Sequence, residues 1–158
     1  MRFLSTTMAC VILASPALSL RGAHLIGPGA PAAPFQVVRA FVVDATSPST
    51  LKVLYGKQEQ PRTVKLFGIT EPQPNSSSWK DARTLLSYLT AKRTVLLVVH
   101  EETANGDLVA QVTLPDGQEL AATLALAGLA TPAHPFTLPQ YAEAAEIARK
   151  SGDGQFSP

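Results

Sequence analysis

Apolar and polar residues alternate over several short stretches of the chain, and this pattern predicts strands. Residues 35–43 and 63–69 are rich in β-branched and aromatic side chains, and residues 50–55 alternate between two faces. Polar turn sequences at residues 44–49 and 56–61 separate these three segments. Because strands joined by such short loops pair side by side, we expect the three segments to form an antiparallel meander.

Two further strands are predicted in the second half of the chain. Residues 94–99 are apolar on both faces, as in a central strand, and residues 108–114 form the strand that returns beside it. The sequence Asn105-Gly106-Asp107 between them is a strong hairpin signal, because Asn-Gly pairs adopt the positive φ angles that tight turns require. Gly68 in the third predicted strand marks a bulge or a close approach of the backbone.

Three helices are predicted from apolar residues at helical spacing. The first begins near Ser78, which forms a capping box with Asp81, and the second covers residues 119–130. The third follows a capping box at residues 137–140 and ends near Gly152. A helix between the third and fourth of five strands is the arrangement of an OB-fold. The predicted fold class is therefore α+β, mainly β, with a five-stranded OB-fold barrel and three helices.

The N-terminal residues have the composition of a secretory signal. A short apolar run of about ten residues follows Arg2, whereas a helix that spans a bilayer needs roughly 20. We predict a signal peptide at residues 1–19, cleaved near Ser19, then a flexible Gly/Ala/Pro leader at residues 20–35 and a domain at residues 36–156. A buried N-terminal strand is the alternative. The prediction places the protein in the periplasm or outside the cell.

The balance of charges and the number of cysteines exclude some classes of function. The 158 residues include 13 Lys+Arg and 12 Asp+Glu, which gives a formal net charge of +1. A strongly basic nucleic-acid binder has a marked excess of Lys and Arg, and this chain has none. Cleavage of the signal peptide would remove Arg2 and leave 12 basic against 12 acidic residues. It would also remove Cys10, the single cysteine, so neither an internal disulfide nor a cysteine-based zinc site is expected.

Five segments, in order, resemble the staphylococcal-nuclease-like (thermonuclease) domain family. Residues 41–53 are similar to its "V-x-D-G-D-T-x-x-V" opening, and residues 64–73 to its "V-R-L-x-G-I-D-A-P-E" motif. Residues 105–110 stand where the family has "Y-G-R-x-x-A". Residues 120–130 and 141–152 are similar to its last two helices. The resemblance covers about residues 36–156 and implies the same OB-fold barrel.

The resemblance also implies a chemistry. Enzymes of this family are Ca²⁺-dependent phosphodiesterases that hydrolyse DNA and RNA. Aspartates of the first two motifs hold the metal, a glutamate assists the attacking water, and two arginines contact the phosphate. Carboxylates are the oxygen ligands that Ca²⁺ prefers, and a guanidinium fork matches the charge that develops on the phosphate.

Most of these functional positions are altered in this chain. Asp44 matches the first aspartate of the opening motif. The other positions are replaced: the second aspartate by Ser49, the next by Thr70, the glutamate by Gln73 and the two arginines by Lys65 and Asp107. Gln73 cannot take up a proton at neutral pH, and Asp107 reverses the charge where a phosphate would bind. We therefore predict that catalysis is impaired.

The predicted function is a binding or structural module with a nucleic acid, glycan or protein ligand. Lys65 and Tyr55 are the candidate binding residues, and Lys65, Gln73 and Asp107 stand at the positions that would be catalytic in the family. No cofactor and no membrane span are expected, and the protein is expected to be a monomer. The alternative is a divergent phosphodiesterase of DNA and RNA, in which Asp44 and Glu71 would hold Ca²⁺.

Two other side chains are singled out by type. Trp79 is predicted to anchor the first helix in the core rather than to serve as a platform for stacking bases. His100 is followed by Glu101 and Glu102, and these three residue types together can form a metal-binding site. We expect the two acids to face solvent at the start of a hairpin instead.

Overall fold

The alternating segments of the sequence do form strands in the computed structural model, which describes residues 36–57, 59–135 and 137–157. The predicted signal peptide and leader lie outside these residues. Among the helices in the described part of the chain, none has the length and hydropathy that crossing a membrane requires.

Seven strands, three α-helices and a short 3₁₀ helix make up the described chain. The strands are β1 (Gln36–Ser47), β2 (Thr50–Tyr55), β3 (Arg62–Leu66), β4 (Ile69–Thr70), β5 (Thr94–Glu102), β6 (Leu108–Thr113) and β7 (Thr131–Pro132). The helices are α1 (Ser77–Thr90), α2 (Leu120–Leu126) and α3 (Pro139–Ser151), and the 3₁₀ turn covers Gly154–Phe156.

Five of the strands close into a barrel in the order β1-β2-β3-β6-β5. β3 and β6 pair in parallel, and the other neighbours pair antiparallel, so the barrel is mixed. β4 and β7 form a separate two-stranded pair. This α+β architecture, with a closed five-stranded mixed barrel and three helices, is consistent with an OB-like barrel, and the predicted meander of the first three strands is confirmed.

The barrel interior is filled by every second residue of its strands, as the alternation predicts. Leu51 and Val53 of β2 are fully buried, and so are Leu108, Ala110 and Val112 of β6 apart from a trace of exposure at Leu108. The helices add a second set of buried side chains, which are Ala82, Leu86, Leu120, Leu124 and Tyr141. One continuous apolar core therefore joins the barrel to its helices.

The first and third strands differ from the prediction in length. β1 continues through Asp44 to Ser47, because irregularities in its pairing with β2, between Val42 and Asp44 and again near Ser47, let the strand bend without ending. The turn predicted at residues 44–49 is therefore shorter. β3 ends early at Leu66, since Gly68 has a φ of 76° and turns the chain into β4.

The helix starts also need correction. The side chain that caps α1 is Ser76, whose hydroxyl accepts a hydrogen bond from the Trp79 backbone N–H at 3.0 Å, rather than Ser78. The predicted cap at residues 137–140 is wrong, because α3 starts after Leu138 without a side-chain cap. Pro139 does begin that helix, and Gly152 ends it in the left-handed conformation, as predicted.

Candidate functional site

A polar cleft of about 380 Å³ lies where β2, β3 and β4 meet, and we call it the Glu71 cleft. The pairing of Thr50 with Lys65 brings β2 and β3 together here, and the turn after β3 returns the chain as β4. The residues that line the cleft are Ser49, Thr50, Lys65, Ile69, Thr70 and Glu71. All but Ile69 carry a hydroxyl or a charge that a ligand can contact, which is five of the six.

The carboxylate of Glu71 is fixed by two serines, Ser47 at the end of β1 and Ser49 in the turn that follows. Its Oε2 atom accepts hydrogen bonds from the Ser47 hydroxyl at 2.9 Å and from the Ser49 hydroxyl at 3.2 Å. Oε1 has no partner among the described residues. Sequence reasoning singled out Glu71 and Ser49 but missed Ser47, because only the bend in β1 brings that hydroxyl across 24 residues to Glu71.

Lys65 is the cation of this cleft. Its side chain is exposed and makes no hydrogen bond or ion pair with any described residue. The cleft thus combines one ammonium with one carboxylate, and the two formal charges cancel. Gln73, which stands two residues after Glu71, is exposed and is not among the residues that line the cleft.

An arginine that the resemblance did not assign lies near a second cleft, which contains Asp107. The Arg62 guanidinium donates hydrogen bonds to the Tyr55 hydroxyl at 2.5 Å, to Glu102 Oε1 at 2.6 Å and to the Gly106 carbonyl. The pKa of Arg62 is raised, mainly by its hydrogen bond to Glu102. Arg62 is therefore committed to internal partners, and so is the hydroxyl of the predicted binding residue Tyr55.

Asp107 and Asp44 lie in other places than the Glu71 cleft. Asp107 lines the second cleft beside Arg62, and its backbone N–H donates to the Thr103 hydroxyl at 3.1 Å. Asp44 lines a groove beside α1, and its Oδ1 atom accepts from the Ala45 N–H at 2.8 Å. Asp44 and Glu71, the predicted metal pair, thus line different clefts, and in residues 36–57, 59–135 and 137–157 no three Asp, Glu, His or Cys are grouped to hold a metal.

The remaining two candidates have local partners. The His100 ring stacks on Phe67 with 3.9 Å between ring centroids, and its Nε2 atom lies 3.0 Å from Gln111 Oε1. The expectation that Glu101 and Glu102 face solvent is confirmed by their exposure. Trp79 is only half-buried and lines the groove beside α1, so the prediction of a core anchor is wrong.

A second hydrogen-bonded carboxylate, Glu119, lies at the start of α2. Its Oε2 atom accepts from the Ala122 N–H at 2.8 Å, and its Oε1 atom accepts from the Tyr141 hydroxyl at 2.8 Å. Burial raises the pKa of Glu119, although both hydrogen bonds act in the opposite direction. Burial and the charge of Glu119 raise the pKa of Tyr141 as well. Both oxygens are used internally, which identifies Glu119 as a structural group.

Comparison with models of known protein families finds no match, and comparison with curated proteins finds no significant match.

Proposed function

We propose that this chain is an exported thermonuclease-like domain with impaired hydrolysis, which acts as a binding module and takes a polar ligand in the Glu71 cleft. Export rests on the composition of residues 1–19, and the N-terminal mass of secreted protein tests it, since an intact Met1 would contradict cleavage. The resemblance supports the family assignment, together with an OB-like barrel that has a helix between its third and fourth barrel strands.

The observation that carries the binding proposal is the pair of unused groups in one cleft. Lys65 has no partner among the described residues, and Glu71 has bonded only Oε2. The two serine hydroxyls hold the carboxylate in place, so less conformational freedom is lost when a ligand binds. A ligand with both an acceptor and a donor group fits this pair.

The charged groups of the two clefts argue against efficient hydrolysis of a phosphodiester. A phosphoryl transition state needs donors that match its growing negative charge, and removal of one such donor can lower the rate by about 10²–10³. Lys65 supplies a single ammonium to the Glu71 cleft, whereas Asp107 and Arg62 lie at the second cleft, where Arg62 is bonded to Glu102. Gln73 cannot act as a general base. The proposal therefore assigns the cleft to binding.

The first experiment separates binding from catalysis. Purified protein is incubated with single-stranded DNA and RNA, in Ca²⁺ and in chelator, and cleavage is followed by gel. We expect no Ca²⁺-dependent cleavage above background. Cleavage that requires Ca²⁺ and disappears in Asp44→Ala or Glu71→Gln would contradict the proposal and favour the divergent phosphodiesterase.

The binding arm uses the same protein with a labelled single-stranded oligonucleotide and a labelled oligosaccharide. We expect one of the two to be retained, and Lys65→Gln or Glu71→Gln to weaken retention. Lys57→Gln, which removes an exposed lysine outside the cleft, is the matched control. Equal effects of Lys65→Gln and Lys57→Gln would show that retention is non-specific. If neither probe is retained, a protein is the remaining class of ligand. Exported proteins would then be tested for binding to the wild type and to the same variants.

A further inference from the structure

A groove of about 530 Å³ lies between β1 and one face of α1, away from the Glu71 cleft. The positions of Trp79, Lys80, Arg83, Thr84, Ser87 and Tyr88 follow the helical repeat, so they share one side of the helix. Asp44 and Ala45 of β1 form the opposite wall. A volume of this size is in the range of sites for small ligands, so the groove can hold a nucleotide-sized molecule.

The charges of this groove favour an anion. Lys80 and Arg83 make no ion pair with any described residue, while Asp44 is the single acidic residue of the lining. The Arg83 Nε atom donates to the Ala45 carbonyl at 3.3 Å, which places the guanidinium at the wall. Its terminal nitrogens have no described partner, and a guanidinium with free terminal nitrogens can bind a phosphate through two parallel hydrogen bonds.

Two aromatic rings stand at the ends of the same groove. Trp79 is half-buried, and Tyr88 is 77% exposed although its side chain is large and aromatic. They stand nine positions apart on α1, which is about 13.5 Å along a helix axis. Exposed aromatic faces provide surfaces on which flat rings stack, and such stacking contributes about 1–3 kcal/mol per nucleic-acid base.

We propose that the α1–β1 groove binds a nucleotide unit, with the base stacked on Trp79 or Tyr88 and the phosphate held by Arg83 and Lys80. An acidic sugar would satisfy the cations, but it has no flat ring to stack on the exposed face of Tyr88. A nucleotide satisfies both, and the Oδ2 atom of Asp44, which has no partner among the described residues, suits the amino group of a base. This site goes beyond the proposed function, because no residue of the Glu71 cleft contributes to it.

Trp79 is the single tryptophan of the protein, so its fluorescence reports on this groove alone. The full chain is titrated at low salt with adenosine monophosphate and, separately, with a hexamer of deoxyadenylate. Free tryptophan amide at the same absorbance corrects for light absorbed by the ligand. We expect saturable quenching that weakens as salt is raised. Equal affinity for monomer and hexamer would indicate a free nucleotide, and tighter binding of the hexamer would indicate single-stranded nucleic acid.

Variants separate the phosphate contact from general charge. Arg83→Gln should weaken binding about tenfold or more, because it removes a charge-assisted hydrogen bond to the phosphate. Tyr88→Ala should weaken it about fivefold or more if its ring stacks on the base. Lys150→Gln on α3 is the control and should change the affinity less than twofold. Circular dichroism of each variant checks that α1 is intact.

Several results would overturn the proposal. If uncharged adenosine quenches the fluorescence as strongly as the monophosphate, the groove does not contact the phosphate. Unchanged affinity in a folded Arg83→Gln variant would lead to the same conclusion. If an acidic oligosaccharide binds more tightly than either nucleotide probe, the ligand is not a nucleotide. Because Lys65→Gln and Glu71→Gln leave this groove untouched, they should not change the quenching, which separates failure here from failure of the Glu71 cleft.

Discussion

Glu71 and Glu119 are carboxylates that each accept two hydrogen bonds from the protein itself, but they use their oxygens differently. Glu119 has one partner on each oxygen, the Ala122 N–H and the Tyr141 hydroxyl, and it is half-buried beside the core. Glu71 receives both hydrogen bonds on Oε2 and lines an open cleft. The number of hydrogen bonds therefore does not distinguish the two acids, whereas the free oxygen and the open cleft of Glu71 do, and these two features make Glu71 the candidate binding acid.

The largest effect on stability is expected from removal of the Glu119 carboxylate. Glu119→Ala removes the cap of α2, and it also removes a hydrogen-bond partner of the buried Tyr141 hydroxyl. We therefore expect the free energy of unfolding to fall by about 2–4 kcal/mol. Urea unfolding followed by circular dichroism measures it. Glu143→Ala, an exposed acid on α3, is the matched control. A loss at Glu119 no larger than at Glu143 would show that the Glu119–Tyr141 pair contributes little to stability.

The second test is the pH dependence of stability. Because the pKa of Glu119 is raised in the folded state, folded protein binds more protons than unfolded protein between the ordinary and the raised pKa, and stability falls as pH rises through that interval. Glu119→Gln removes this titration. Relative to the wild type, the variant should therefore gain stability from about pH 4 toward neutral pH.

Unfolding in urea at several pH values, for both proteins, gives this difference. The effect should persist at high salt, because its main cause is burial and not a distant charge. A stability difference that stays constant with pH, or that shifts in favour of the wild type as pH rises, would contradict the raised pKa.

Much of the fold could be predicted from the sequence, because alternation and turn residues act locally. The hairpin at Gly106 and the end of α3 at Gly152 follow directly from such signals. The run of β1 through Asp44 could not, since bulges depend on the register of the neighbouring strand. The prediction that Trp79 anchors α1 in the core was also wrong, because helical spacing assigns a residue to a face of the helix but does not show which face packs against the core.

The candidate site was less predictable for a related reason. Lys65 and Glu71 could be singled out from motif positions, and both do line one cleft. Ser47 and the pairing of Arg62 with Glu102 involve contacts over 24 and 40 residues, which no local pattern contains. Motif positions therefore indicate candidate side chains, but only the folded chain determines whether each is free or already bonded.

Glu71→Ala should have the smallest effect on stability, and it tests most directly whether Glu71 differs from Glu119. The Ser47 and Ser49 hydroxyls lose a partner, but the cleft is open, so water can replace it and the loss should be under about 1 kcal/mol. Urea unfolding beside Glu119→Ala measures the contrast. Under the binding proposal, the same variant should lose ligand retention while it stays folded. A stability loss as large as that of Glu119→Ala would instead make Glu71 a structural acid, and the cleft would then lack the free carboxylate on which its proposed role depends.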